Sequence, residues 1–120
     1  MLPDERDAAY LWDMLDAARM AYGFTSGVLF QAFLSDRKLQ LAIERSVEII
    51  GEAARRVSEA FRNDHPEIPW RSMIAQRNVL AHEYGEVKQD RMWLLVTQQL
   101  PELIQTIETL IPPAPADNMS

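Results

Sequence analysis

The 120-residue sequence contains no cysteine. That excludes a disulfide framework and any thiolate-based zinc or redox site, and it suits a reducing compartment such as the cytoplasm. Long hydrophobic runs are missing too, because charged residues interrupt every apolar segment well short of the roughly 18 residues a membrane helix needs. The start "MLPDERDAAYLWDML" has no basic stretch followed by an apolar one, so a soluble, non-exported, cytoplasmic chain is expected. No glycine-rich phosphate loop and no nucleophile elbow is present. Positive charge is in short supply: 12 Lys and Arg stand against 18 Asp and Glu, a formal net charge of -6. Phosphate binding is driven by clustered Lys and Arg, so overall electrostatics do not favour nucleic acid. A local basic cleft stays open, since Arg45, Arg55, Arg56, Arg62, Arg71 and Arg77 all fall mid-chain while the first 36 residues are acidic. Neither His65 nor His82 has a glutamate three residues before it, which removes the Glu-x-x-His pattern of di-metal helical bundles. No metal and no cofactor is expected.

What the chain does have is helical periodicity, with no alternating run bounded by turn residues. The expectation is an all-α domain over residues 1–111, followed by a disordered proline-rich tail over 112–120, "PPAPADNMS". The domain reads as an antiparallel bundle of four main helices plus a short connecting helical segment. The first helix starts after Pro3, with Asp4, Glu5 and Asp7 at its positive end on a solvated face. It carries Ala8, Leu11, Leu15, Ala18 and Tyr22 on one stripe and ends at Gly23. "FTSGVLFQAFLSD" is too apolar for a solvated loop and predicts a helical turn covering the core. Ser35 or Asp36 then caps a second helix, whose apolar stripe runs from Leu39 through Val57 to Phe61. Glu44, Glu48 and Glu52 lie beside that stripe. Gly51, inside this helix, costs about 1 kcal/mol relative to alanine, so a close helix crossing is expected there.

"NDHPEIPW" breaks the pattern at Pro66 and Pro69, with His65 in a loop. Pro69 opens a third helix from Trp70 to Tyr84, with Gly85 just past its end. A fourth runs from about Asp90 to Ile111, kinked by the interior Pro101.

The second half of the third helix, "RNVLAHEYG", holds most of the candidate chemistry. At about 100° per residue, Trp70, Met73, Ile74, Leu80, Ala81 and Tyr84 share a face, and Arg77 lies at its centre. Asn78 and His82, one turn apart, stack on one another beside that face. Spacing alone leaves two readings. Arg77 pairs with Glu48 or Glu52, His82 responds to the negative helix end, and Tyr84 is a core residue with its hydroxyl at the surface. Alternatively, Arg77, Asn78 and His82 fan over an arc of about 140° and act on something that wraps round the helix, a strand or a second subunit.

The spacing Arg77, four residues, His82, one residue, Tyr84 resembles the R-x4-H-x-Y motif of the HepT toxins in the HEPN superfamily of helical ribonucleases. "ERSVEIIGEAARRVS", "HPEIPW", "RNVLAHEYGEV" and "MWLLVTQQLPELI" resemble that family's pattern in the same order. The resemblance implies a homodimer in which the third helix of each subunit contributes to a shared cleft, and metal-independent cleavage of RNA, with the target, tRNA or mRNA, left open. Carried over, His82 is the general acid or base, and its ordinary pKa near 6.5 suits either role. Arg77 binds the scissile phosphate, and Asn78 orients the phosphate or His82. Tyr84 is implied to accept AMP from an MntA-type nucleotidyltransferase antitoxin, which silences the toxin in a type VII toxin-antitoxin system. Two rivals are kept: a non-catalytic HEPN module that dimerises and binds a nucleotidyltransferase, and an antitoxin-like role beside a toxic nucleotidyltransferase.

Overall fold

The computed structural model describes residues 3–82 and 88–111, the side chains of Ala81 and His82 excepted. Every regular element among them is helical: α1 Glu5–Phe24, α2 Phe30–Leu34, α3 Arg37–Arg56, α4 Glu59–Asp64, α5 Trp70–His82, α6 Gln89–Leu94 and α7 Leu100–Leu110. A π-helical turn, Leu95–Gln99, joins α6 to α7. The long helices α1, α3, α5 and the composite α6–α7 form the expected bundle, with α3 packed against both α1 and α5, and α1 against α7. The proposed tail over 112–120 lies outside the described residues.

Local chemistry explains most element boundaries. The Asp4 carboxylate accepts from the Asp7 amide at 2.7 Å and caps α1. Leu11, Leu15, Ala18 and Ala21 are fully or almost fully buried and continue the inward stripe. Tyr22, expected on that stripe, shares the angular position of the buried Leu11 and Leu15 yet is 45% exposed, standing in the last turn of α1. Nor does the helix end at Gly23. It runs to Phe24 and closes with the Thr25 hydroxyl donating to the Tyr22 carbonyl at 2.7 Å, and among the described residues the glycine with positive φ is Gly27.

The apolar connector is helical, as its composition predicts. Phe33 of α2 is fully buried, and its ring lies 5.1 Å from that of Trp93. The buried Gln40 amide donates to the carbonyls of Phe33 and Leu34 at the end of α2, adding to the Asp36 amide that already reaches Phe33. Asp36 caps α3 by accepting from the Leu39 amide at 3.0 Å.

Two expectations are corrected downstream. The second helix does not continue to Phe61: α3 stops at Arg56, Val57 is extended, and Ser58 caps the separate helix α4. Asp7 helps to hold that break. It is only 4% exposed rather than solvated, and its carboxylate accepts from both the amide (2.8 Å) and the hydroxyl (2.6 Å) of Ser58. The Ser58 hydroxyl oxygen in turn accepts from the Phe61 amide. In the last helix, the interruption precedes Pro101 as the π turn, where the Leu100 amide reaches back five residues to the Leu95 carbonyl. The wider turn makes room for a ring that lacks a donor and would clash with the preceding turn of a regular helix.

Candidate functional site

The candidate site is built on α5, whose entry is fixed by Trp70. Its indole N–H donates to the His65 carbonyl at 2.9 Å, and its ring packs edge-on against Phe61. His65 is therefore more than a loop residue: its ring stacks on Phe61 with centroids 4.4 Å apart, and Nδ1 lies 3.1 Å from the Glu67 carboxylate. From this anchor α5 crosses α3 at Gly51. A Cβ added there would meet the Arg77 Cβ at 2.3 Å and the Met73 carbonyl oxygen at 2.6 Å, so only glycine permits the approach. The expected close crossing is present, and it sets Arg77 directly over α3.

Arg77 is half-buried, with its side chain 24% exposed, and it is held from two sides. One terminal nitrogen donates to the Asn78 side-chain oxygen at 3.1 Å. The other lies 3.0 Å from Glu52 Oε1, close enough for an ion pair. That contact lacks the alignment of a hydrogen bond, and both Glu52 Oε1 and Arg77 Nε are buried without a hydrogen-bond partner among the described residues. The other Glu52 oxygen is firmly engaged, accepting from Arg55 at 2.8 Å and from Arg56 at 3.0 Å. These bonds, the one from Arg55 first, together with the charges of Arg55 and Arg77, hold the Glu52 carboxyl down at about 2, while partial burial opposes them. Glu52 is therefore an anion at neutral pH.

Of the two glutamates that spacing allowed, Glu52 is the partner of Arg77, and Glu48 is taken by Arg45 at 2.7 Å. The part of the cluster not anticipated is the Arg55–Arg56 clamp. Its signal was in the sequence, since Arg55 and Arg56 follow Glu52 at the three- and four-residue spacings that put side chains together on a helix.

The structure brings Arg77 and Asn78 together, with Asn78 exposed. His82 is the last residue of α5, one helical turn beyond Asn78, and its side chain is outside the description. Tyr84 and Gly85 lie outside the described residues. Among those residues no three His, Asp or Glu side chains come together as metal ligands. A cavity of about 280 Å³, walled by Val47, Ile50, Met73, Leu95, Leu100 and Leu103, also touches α5. Its α5 contacts, Ser72 and Gln76 among them, are on the flank opposite Asn78, so it is not part of the candidate edge.

Comparison with known proteins gives one consistent family. The profile described as "Ribonuclease HepT-like" matches residues 14–110. "Probable ribonuclease HepT" of Thermococcus cleftensis is 40% identical over 101 residues, covering 84% of this chain and 92% of the relative. "Putative RNase MJ0127" of Methanocaldococcus jannaschii is 36% identical over 110 residues, covering 92% of this chain and 91% of the relative. A further relative, "Putative RNase TTE0752" of Caldanaerobacter subterraneus, is 31% identical over 102 residues, covering 85% and 91%. No solved structure matches.

Proposed function

The chain belongs to the HepT-like ribonuclease family, and from that premise we propose that it is a toxin that cleaves RNA without a metal and is silenced by AMP transfer to Tyr84. The observation that carries this reading is the motif Arg77, His82, Tyr84 inside the family-matched region, with Arg77 seated at the α3–α5 crossing beside Asn78.

In this reading His82 moves a proton on or off the ribose 2′-hydroxyl or the leaving oxygen, and Arg77 stabilises charge on the scissile phosphate. The geometry around Glu52 fits such a task. A phosphate has to compete with Glu52 for Arg77, and the contact it displaces is an unaligned one. Glu52 would not be left unpaired, because Arg55 and Arg56 hold its other oxygen. Two subunits placing their α5 helices about a two-fold axis would enclose a strand that one helix cannot surround.

Regulation follows from charge. AMP on Tyr84, added by a nucleotidyltransferase antitoxin, places a phosphate near Arg77 and His82 and obstructs the cleft, as phosphorylation would. A second reading, a non-catalytic module that dimerises and binds the nucleotidyltransferase, is favoured by the net charge of -6 and by the Arg77–Glu52 pair. Expressing each gene alone separates the two. The toxin reading expects growth arrest from this chain, relieved by the partner; no arrest from this chain alone, or arrest from the partner alone, would overturn it.

A further inference from the structure

An open groove of about 950 Å³ runs between α4 and the N-terminal half of α5, walled in part by Arg62, Asn63, Pro66, Arg71, Ile74 and Ala75. Its position relative to the motif is set by helical register. At about 100° per residue, positions 71, 74, 75, 78 and 82 fall within an arc of about 100° on one flank of α5. The groove therefore lies on the same flank as Asn78 and the register position of His82. Eleven residues separate positions 71 and 82, a rise of about 16 Å along the helix.

Four of the ten arginines, Arg6, Arg62, Arg71 and Arg91, reach no carboxylate among the described residues, and two of these, Arg62 and Arg71, share this groove. Arg19, Arg37, Arg45, Arg55, Arg56 and Arg77 each reach a carboxylate. Arg62 only donates its Nε to the Val57 carbonyl at 3.1 Å. Glu59 is the single carboxylate on the groove wall. In a chain with more acids than bases, two arginines left without carboxylates in one groove are a local exception to the overall charge.

We propose that the Arg62–Arg71 groove binds the sugar-phosphate backbone of single-stranded RNA, carrying the strand away from the cleavage residues along the flank of α5. This rests on the ribonuclease reading and extends it. The contacts are to phosphates rather than bases: Trp70, the aromatic residue of the wall, is 7% exposed and offers no face for stacking. Binding here is accordingly insensitive to sequence and sensitive to salt.

The test uses the full chain and a 2′-deoxy-substituted, uncleavable RNA of about 12 nucleotides, a length within the range single-strand binders occupy. Affinity is measured by fluorescence anisotropy over a salt series for wild type, Arg62→Ala, Arg71→Ala and Arg71→Glu, with thermal melts to confirm folding. Each alanine variant should bind more weakly, with the slope of log affinity against log salt shallower by about 0.7. Arg71→Glu should bind more weakly still. In parallel, saturating cleavable RNA should be cut by the alanine variants with wild-type kcat and raised KM. Arg71→Ala is the informative variant if Arg62→Ala loses its fold along with the Val57 contact. Wild-type affinity and slope in folded variants, beside a wild type that cleaves RNA, would overturn the groove and leave the ribonuclease reading standing. A wild type that neither binds nor cleaves would overturn both. Substitutions that change the oligomer mass while leaving RNA binding intact would make the groove a subunit contact and also sink the proposal.

Discussion

Gly51 and Arg77 meet where α3 crosses α5, so closely that a Cβ on residue 51 would stand 2.3 Å from the Cβ of Arg77. An exposed mid-helix glycine gains about 1 kcal/mol when replaced by alanine. Here the added methyl meets backbone as well, at the Met73 carbonyl, and overpacking of this kind costs about 1–3 kcal/mol. The clash should win. Gly51→Ala is expected to lower the urea midpoint and Gly51→Val to lower it further; a stabilised Gly51→Ala would show that the helices separate freely. Because the crossing seats Arg77, RNA cleavage by Gly51→Ala should fall even at temperatures where it is folded.

The Asp7–Ser58 contact makes a prediction about stability alone. Removing the carboxylate leaves a partly buried amide and hydroxyl without their acceptor, a loss of about 1–3 kcal/mol. Asp7→Ala should therefore melt well below wild type, and Asp7→Asn, which retains an acceptor oxygen, should recover part of the difference. Asp13→Ala, on the exposed side of the same helix, is the control and should stay within about 0.5 kcal/mol.

Glu52 predicts a pH dependence with a definite sign. Its carboxyl titrates at about 2 in the folded chain against an ordinary 4.5, so folding favours the ionised form. The resulting stability is complete above pH 4.5 and is lost as pH falls toward 2. Glu52→Gln abolishes it. Wild type should exceed the variant at neutral pH by a modest amount, since the pair is partly solvated, and the two stability curves should converge on acidification. Parallel curves down to the acid limit would contradict the assignment.

Much of this architecture was legible in the sequence, and the exceptions have physical causes. The Gly51 crossing, the helical connector around Phe33 and the interruption near Pro101 each come from a residue whose local cost demands a particular surrounding. The burial of Asp7 is not legible in the sequence because its use is non-local: an acid in a first helical turn is normally satisfied by the helix dipole, and nothing nearby in sequence signals Ser58, 51 positions away. Periodicity alone joins α4 to its predecessor, because Val57 and Phe61 continue the apolar stripe although the backbone turns between them. At the candidate site, spacing narrowed the partner of Arg77 to two glutamates. Choosing between them required the crossing geometry, which a single helix wheel does not contain.

The regulatory claim is tested by mass. After incubation with the partner nucleotidyltransferase and ATP, wild type should gain the mass of AMP and lose toxicity, while Tyr84→Phe should gain none and stay toxic. Equal mass gains in both proteins would place the modification elsewhere.

The central claim, a metal-independent ribonuclease using His82, is tested most directly by incubating purified, unmodified protein and its His82→Ala variant with total RNA in EDTA and reading a denaturing gel. Wild type should cleave at discrete positions and the variant should not cleave at all. Intact RNA in both lanes, or equal cleavage in both, would contradict it.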